Sequence, residues 1–344
     1  MTSITAATPP TLPPALPAAR QATARIATRA EFFALGFLSG CWGVHVPSAK
    51  AHYQLSPGEL SLALLSVALG AVLCLTRAGR LVEAIGPRRA VGLGGVVACL
   101  ALASILLPSH IAVLALVMLV FGASTALVDV SINAEGSVLE KLGQRKVMSG
   151  FHGMWSAGGM AGAGLGGLLL KAGMPPLQQL LLMAVLALVV LVLAQRGMLE
   201  GTAVHQAVAA QDAAAADAAQ GGACGRRQRP VGLLLLLGAL GVSGLLAEGA
   251  IYDWCVLWMQ QDLGQTQAFA ALAYAGFSAS MAANRFAGDW LRTHIPAPRL
   301  MAVSGVVAAA AMVVRTLPTH RNVLPRNIWK QMSAKTKPAK ALVG

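Results

Sequence analysis

The chain has 344 residues, 56% of them hydrophobic and only 11% charged, with a mean hydropathy of +0.66 and a formal net charge of +13. A soluble protein of this composition lacks the polar groups to cover its surface, and the dominance of Ala, Leu and Gly without strong aromatic alternation argues against a transmembrane β-barrel. The charge does not argue for nucleic-acid binding: no recognised nucleic-acid module is present, and membrane proteins concentrate Lys and Arg in cytoplasmic loops. The expected fold class is therefore an all-α polytopic membrane protein.

Residues 1–30 are rich in Pro, Ala and Thr, with Arg20, Arg25 and Arg29 near the end. No apolar core precedes a cleavage site, so this stretch is expected to be a disordered cytoplasmic tail rather than a signal peptide. Hydrophobic periodicity then predicts nine membrane spans, at about 31–50, 59–77, 90–107, 110–133, 149–171, 177–195, 232–258, 267–290 and 298–314. The polar, Ala- and Gln-rich stretch 196–230 ends in Arg226-Arg227-Gln228-Arg229 and reads as a cytoplasmic linker between a six-helix bundle at 31–195 and a three-helix partial bundle at 231–314.

The basic residues orient the chain. With the N-terminus cytoplasmic, the inner loops receive Arg77, Arg80, Arg88, Arg89, Lys141, Arg145, Lys146, Arg196 and Arg226, while the outer loops of the first bundle carry only Lys50 and Lys171. The expected location is a bacterial plasma (inner) membrane. Residues 315–344 break the pattern: they hold seven basic residues and no acid, a density of charge that makes bilayer insertion costly. They are expected to form a basic non-membrane tail.

Five cysteines, Cys41, Cys74, Cys99, Cys224 and Cys255, form no CxxC pair, so neither a disulfide framework nor a zinc site is supported. A GxxxxGK[ST] loop is absent, which argues against a nucleotide-driven pump. No metal and no cofactor is expected. An intramembrane enzyme is disfavoured too, because no paired nucleophile and base and no HExxH site is present.

One motif occurs twice. Gly79-Arg80-Leu81-Val82-Glu83-Ala84-Ile85-Gly86-Pro87-Arg88-Arg89 follows the second span, and Asn284-Arg285-Phe286-Ala287-Gly288-Asp289-Trp290-Leu291-Arg292 closes the eighth. Glu83 and Asp289 are roughly 200 positions apart, the mark of a large internal duplication whose two copies need about 400 residues. In such a loop glycines allow a tight turn and close helix approach. An acid at a helix end accepts hydrogen bonds from a neighbouring helix N-terminus. Arginines bind that acid or lipid phosphate. Gly79, Glu83, Gly86, Arg88, Arg89, Arg285 and Asp289 are the candidate gating residues.

This loop resembles the Gly-x-x-x-Asp-Arg-x-Gly-Arg-Arg signature of the major facilitator superfamily, with Glu83 in place of the acid and Ala84 where the first Arg is usual. Phe151-His152-Gly153-Met154-Trp155-Ser156-Ala157-Gly158-Gly159 and Glu248-Gly249-Ala250-Ile251-Tyr252-Asp253-Trp254 are similar to a bacterial branch related to sugar permeases. The resemblance covers most of residues 31–314. It implies two six-helix bundles, alternating access and a solute pathway between them. It further implies that the first-loop acid packs on an eleventh helix and its echo on the fifth. Asp289 thus has an expected partner near Ser149-Gly150, whereas Glu83 has none. Against that pattern the second bundle is expected to be incomplete, and a truncated or frame-shifted reading near Val314 would account for both the basic tail and the lost periodicity.

Ionisable residues inside spans are costly and usually face a cavity or each other. His45 in the first span, Asp129 and Asn133 one turn apart in the fourth, and Glu248, Tyr252 and Asp253 in the seventh are the pathway candidates, because the resemblance places those spans around the central cavity. The competing reading leaves Asp129 and Asp253 merely solvated at the interfaces. Glu248, Asp129 and His152 are candidate proton relays, although a His beside a loop is more often a packing residue. Trp42, Trp155, Trp254 and Trp258 have the rings to stack on a sugar; Trp258 reads better as an interfacial anchor. The run Gly158 to Gly167 makes the fifth span a small-residue helix for tight packing between the halves.

The expected function is secondary transport of a small polar solute, with protons as the coupling ion, impaired in this chain. The alternative is a remnant that inserts without cycling. Partners are the solute (sugar, organic anion and drug efflux all stay open), protons and membrane lipid, with no nucleic acid.

Overall fold

In the computed structural model, the residues described are 17–199 and 231–316. They form nine α-helices and no strand: α1 (Ala18–His52), α2 (Pro57–Ile85), α3 (Pro87–Ser104), α4 (Ile111–Gly143), α5 (Met148–Lys171), α6 (Pro176–Gln195), α7 (Val231–Gln261), α8 (Gln267–His294) and α9 (Ala297–Thr316). Each predicted span falls on one of them. Five of them (α1, α2, α4, α6 and α7) are long and apolar enough to cross a membrane on composition alone. The other helices are shorter in apolar length or diluted, by Arg88 and Arg89 in α3, by glycine in α5, and by Asn284 and Arg285 in α8. Residues 1–16, 200–230 and 317–344 lie outside the described residues, and with them most of the predicted N-terminal tail, linker and basic tail.

The first helix differs from its expected start. It begins at Ala18, not near 31, and Ala24, Ala27 and Thr28 are buried. Arg20 explains why this extra stretch is held: its guanidinium donates to the carbonyl oxygens of Gly197 (3.0 Å) and Met198 (2.6 Å), just past α6. Glu135 of α4 completes the clasp by accepting from the Leu199 backbone N–H at 2.7 Å. Carbonyls and amides beyond a helix end need such partners when water is excluded.

Helix ends are set by local chemistry. Ser56 caps α2, taking a hydrogen bond from the Glu59 N–H while Glu59 accepts from the Ser56 N–H at 2.9 Å, a reciprocal capping box. Between α2 and α3 the chain turns at Gly86, whose φ of 83° suits only glycine comfortably. Glu140 near the end of α4 accepts from the Val147 (2.8 Å) and Met148 (3.1 Å) N–H groups, so a carboxylate sits on the positive end of α5.

The chain divides into two compact units, Met1–Asp289 and Trp290–Gly344. Within the first, α1 packs on α5, α6 and α4, while α4 packs on α2, α3 and α1. Exchanging α1–α3 for α4–α6 maps the α1–α5 pair onto α4–α2 and the α1–α6 pair onto α4–α3, the internal symmetry of a three-plus-three repeat. The two main pairs use the same device. A side chain on Gly36 or Gly158 would strike the backbone of α5 or α1, and one on Gly70 or Gly122 would strike that of α4 or α2. Without a hydrophobic force between helices in lipid, such close backbone approach supplies the packing energy. In the second unit, the last turn of α8 stacks Trp290 on His294 at 4.5 Å, and α9 follows. Cys41, Cys74, Cys99 and Cys255 are free thiols; Cys224 lies outside the described residues.

Candidate solute cavity and its ion pair

The small-residue helix α5 has two packing faces, not one. Gly158 and Gly162 press on the α1 backbone, so half of the stripe predicted to join the two halves packs within the first. The other face, with Gly153, Gly159 and Gly167, receives Phe286, Ser278 and Ala271 of α8. Ser149 donates to the Arg285 carbonyl oxygen at 2.5 Å. At the far end of α8, Gln267 donates to the Val44 carbonyl oxygen and the Ser48 hydroxyl of α1, both at 2.8 Å. These contacts place α8 along α5 and α1 and bring α7 with it.

The result is a cavity of about 270 Å³ walled by helices from both sides of the linker. Ser39, Trp42 and Gly43 come from α1, and Leu64, Val67, Ala68 and Ala71 from α2. Phe121 and Thr125 come from α4, Trp155 from α5, Tyr252 and Asp253 from α7, and Tyr274 from α8. The aromatic rings form a cluster: Tyr252 meets Trp155 edge-on at 5.6 Å, Tyr274 at 4.8 Å and Phe277 at 5.1 Å. Ser278 donates to the Tyr252 hydroxyl at 3.5 Å.

Against Trp155 stands an ion pair. Arg285 donates to Glu248 at 3.1 Å and to Ser156 at 2.7 Å, and its guanidinium stands 5.4 Å from the Trp155 ring centroid. Arg285, expected in a gating loop, is thus inside α8 and joins α5, α7 and α8 at one point. Glu248 and Arg285 side chains retain 21% and 23% exposure, so the pair is not fully enclosed by protein.

Of the other pathway candidates, Tyr252 and Asp253 line the cavity, while Glu248 is paired with Arg285 beside Trp155. Asp129 and Asn133 do share a helix face: the Asn133 amide donates to the Asp129 carboxylate at 3.1 Å and to its carbonyl oxygen at 2.9 Å. They sit one turn past Thr125, off the cavity wall. His45 does not reach the cavity; it is buried and hydrogen-bonds Ser48 at 3.2 Å. His152 packs edge-on against Phe32 at 5.2 Å. Trp42 and Trp155 line the cavity, whereas Trp254 and Trp258 are exposed.

The gating candidates separate likewise. Gly86 makes the α2–α3 turn. Gly79 and Arg89 are exposed and Arg88 half-buried. Glu83 is exposed and has no hydrogen bond or ion pair among the described residues. At the α5 N-terminus, the expected partner of Asp289, it is Glu140 that accepts from the Val147 and Met148 N–H groups. The side chain of Asp289 lies outside the described residues, but Gly288 beside it packs on Ser149, where its partner was expected.

Sequence reasoning missed Ser156, Glu135, Glu140 and Glu31. Glu31 is fully buried in α1 with neither carboxylate oxygen hydrogen-bonded. Its only signal was an acid at the first position of a predicted span.

The family profile of the Major Facilitator Superfamily matches residues 30–326. The chain belongs to that family. It is 32% identical over 266 residues to an uncharacterized MFS-type transporter of Yersinia pestis, covering 77% of this chain and 65% of that protein. It is 27% identical over 288 residues to an uncharacterized transporter, y4wD, of Sinorhizobium fredii, covering 84% and 73%. Membrane protein MosC of Rhizobium meliloti is 25% identical over 291 residues, covering 83% and 66%. The chain therefore matches just under two thirds of the length of the Yersinia and Rhizobium relatives. A multi-pass membrane protein of a transporter family agrees with the apolar helices α1, α2, α4, α6 and α7.

Proposed function

We propose that this major facilitator chain is a secondary active transporter of a small polar solute, working by alternating access and coupled to protons. The observation that carries the reading is the cavity, whose wall combines α1, α2, α4 and α5 with α7 and α8. Solute sites at the interface of two bundles are what rocking of one bundle against the other exposes alternately. Glu248 is the proposed proton carrier, because its partner Arg285 also holds Ser156 and Trp155. A carboxylate that exchanges Arg285 for a proton changes how α7, α5 and α8 are tied together. Asp129 and His152 are secondary candidates. The basic-residue bias supports a cytoplasmic N-terminus in a bacterial inner membrane.

A second reading, a protein that inserts and holds the cavity without cycling, is favoured by two observations. Glu83 makes no hydrogen bond or ion pair among the described residues, and every described side chain from Val231 to Ala247 is exposed. Reconstitution separates the readings. Proteoliposomes with an internal pH dye are challenged with a panel of sugars, amines and organic acids. The same assay is run on a chimera carrying the C-terminal third of the Yersinia relative. Solute-driven proton flux by this chain supports transport. Flux by the chimera alone supports the second reading. Glu248→Gln is expected to cut proton-coupled flux at least tenfold, and unchanged flux would refute its role.

A further inference from the structure

Among the described residues, the cavity wall carries one carboxylate, Asp253, and no Lys, Arg or His. Asp253 makes no hydrogen bond or ion pair among the described residues. Arg285, 5.4 Å from the Trp155 ring centroid, is engaged by Glu248 at 3.1 Å and makes no ion pair with Asp253. Among the described residues the cavity thus presents a negative charge with no paired cation beside the rings of Trp42, Trp155, Tyr252 and Tyr274. Aromatic faces are the negative pole of the ring quadrupole and attract a cation within about 6 Å, by roughly 0.5–2 kcal/mol each. An anionic solute would face the Asp253 charge with no counter-ion, and a neutral one would leave that charge unpaired away from bulk water, which is costly.

We propose, resting on the transporter reading, that the solute is a small organic cation, a protonated amine or quaternary ammonium, held by Asp253 as counter-ion and boxed by Trp42, Trp155 and Tyr252. At about 30 Å³ per liquid water molecule, the cavity has the volume of roughly nine waters. That suits choline or tetraethylammonium.

Equilibrium binding tests this without requiring transport. The full chain in lipid nanodiscs is titrated with choline, with its neutral isostere 3,3-dimethyl-1-butanol, with glucose and with acetate. Tryptophan fluorescence reports the site, since Trp42 and Trp155 line it, and thermal unfolding gives a second readout. Saturable binding of choline at least tenfold tighter than of its isostere, and a loss of at least tenfold in Asp253→Asn but not in Asp262→Asn, is the expected result. Equal binding of choline and its isostere overturns the proposal on the unaltered protein, whether or not Asp253→Asn folds. Binding of glucose or acetate in preference to choline, or no choline binding, also overturns it. Each of those results leaves the transporter reading standing, because that reading fails only in the proteoliposome flux assay.

Discussion

Helices α1 and α7 are both long, apolar and punctuated by a few polar groups, yet their surroundings are opposite. Along α1 the side chains from Phe32 to Ala49 are almost all buried, and Leu38 is 0% exposed. Along the first half of α7 every described side chain is exposed, and Leu245 keeps 70% of its surface. Only from Glu248 onward does α7 meet α5 and α8, through Glu248, Tyr252 and Val256. Apolarity says that a helix belongs in a membrane; it does not say whether lipid or protein surrounds it. Glycine placement says more, since a Cβ added at Gly36, Gly40 or Gly43 of α1 would strike a neighbour, whereas one added at Gly238, Gly241 or Gly244 of α7 would meet nothing within 4 Å.

The contrast can be broken by matched substitutions. Gly158→Leu, driven into the α1 backbone, is expected to exceed the ~1–3 kcal/mol of ordinary overpacking and abolish the folded peak in size-exclusion chromatography. Gly241→Leu on α7 is expected to elute unchanged. Next, Leu38→Ala should cost about 2–5 kcal/mol in reversible unfolding, because a buried site keeps part of its cavity. Leu245→Ala should stay within about 0.5 kcal/mol. If both pairs behave alike, the packing described for α1 is wrong.

Where α7 does meet its neighbours, Arg285→Ala strands Glu248. Removing one partner of a fully buried pair costs ~3–5 kcal/mol; with about a fifth of each side chain exposed, ~1–3 kcal/mol is expected here. Glu248→Gln should cost less, and the double variant less than the sum of the two, as a double-mutant cycle in unfolding would show. The smallest loss expected from breaking a polar contact is at the α5 start. Glu140→Ala removes the acceptor of two helix N-terminal N–H groups and should cost about 1 kcal/mol in the same assay.

Legibility in the sequence followed the range of the interactions. Helix positions depend on the apolarity of about twenty neighbouring residues, so all nine appeared where expected. Local turn chemistry was readable as well: Gly86 was marked by its motif and does adopt a positive φ. The α1 start was not, because residues 18–30 are polar enough to read as a tail and are held by Arg20 to Gly197 and Met198 far along the chain. Among site candidates, Tyr252 and Asp253 were found by being polar in a span. Arg285 was found for the wrong reason: its motif suggested a loop, while its side chain turns into the bundle.

By itself the sequence determined that this is a membrane protein of many helices, where those helices lie, and which family it resembles, since each depends on composition and on short spacings along one chain. The tertiary structure alone decided that His45 is buried off the cavity wall while Trp155 touches both the cavity and an ion pair, that α5 serves two partners, and that Asp253 stands without a counter-charge among the described residues. Those are relations between residues dozens to hundreds of positions apart. They follow from which helix backbones can approach closely, and no local pattern encodes that.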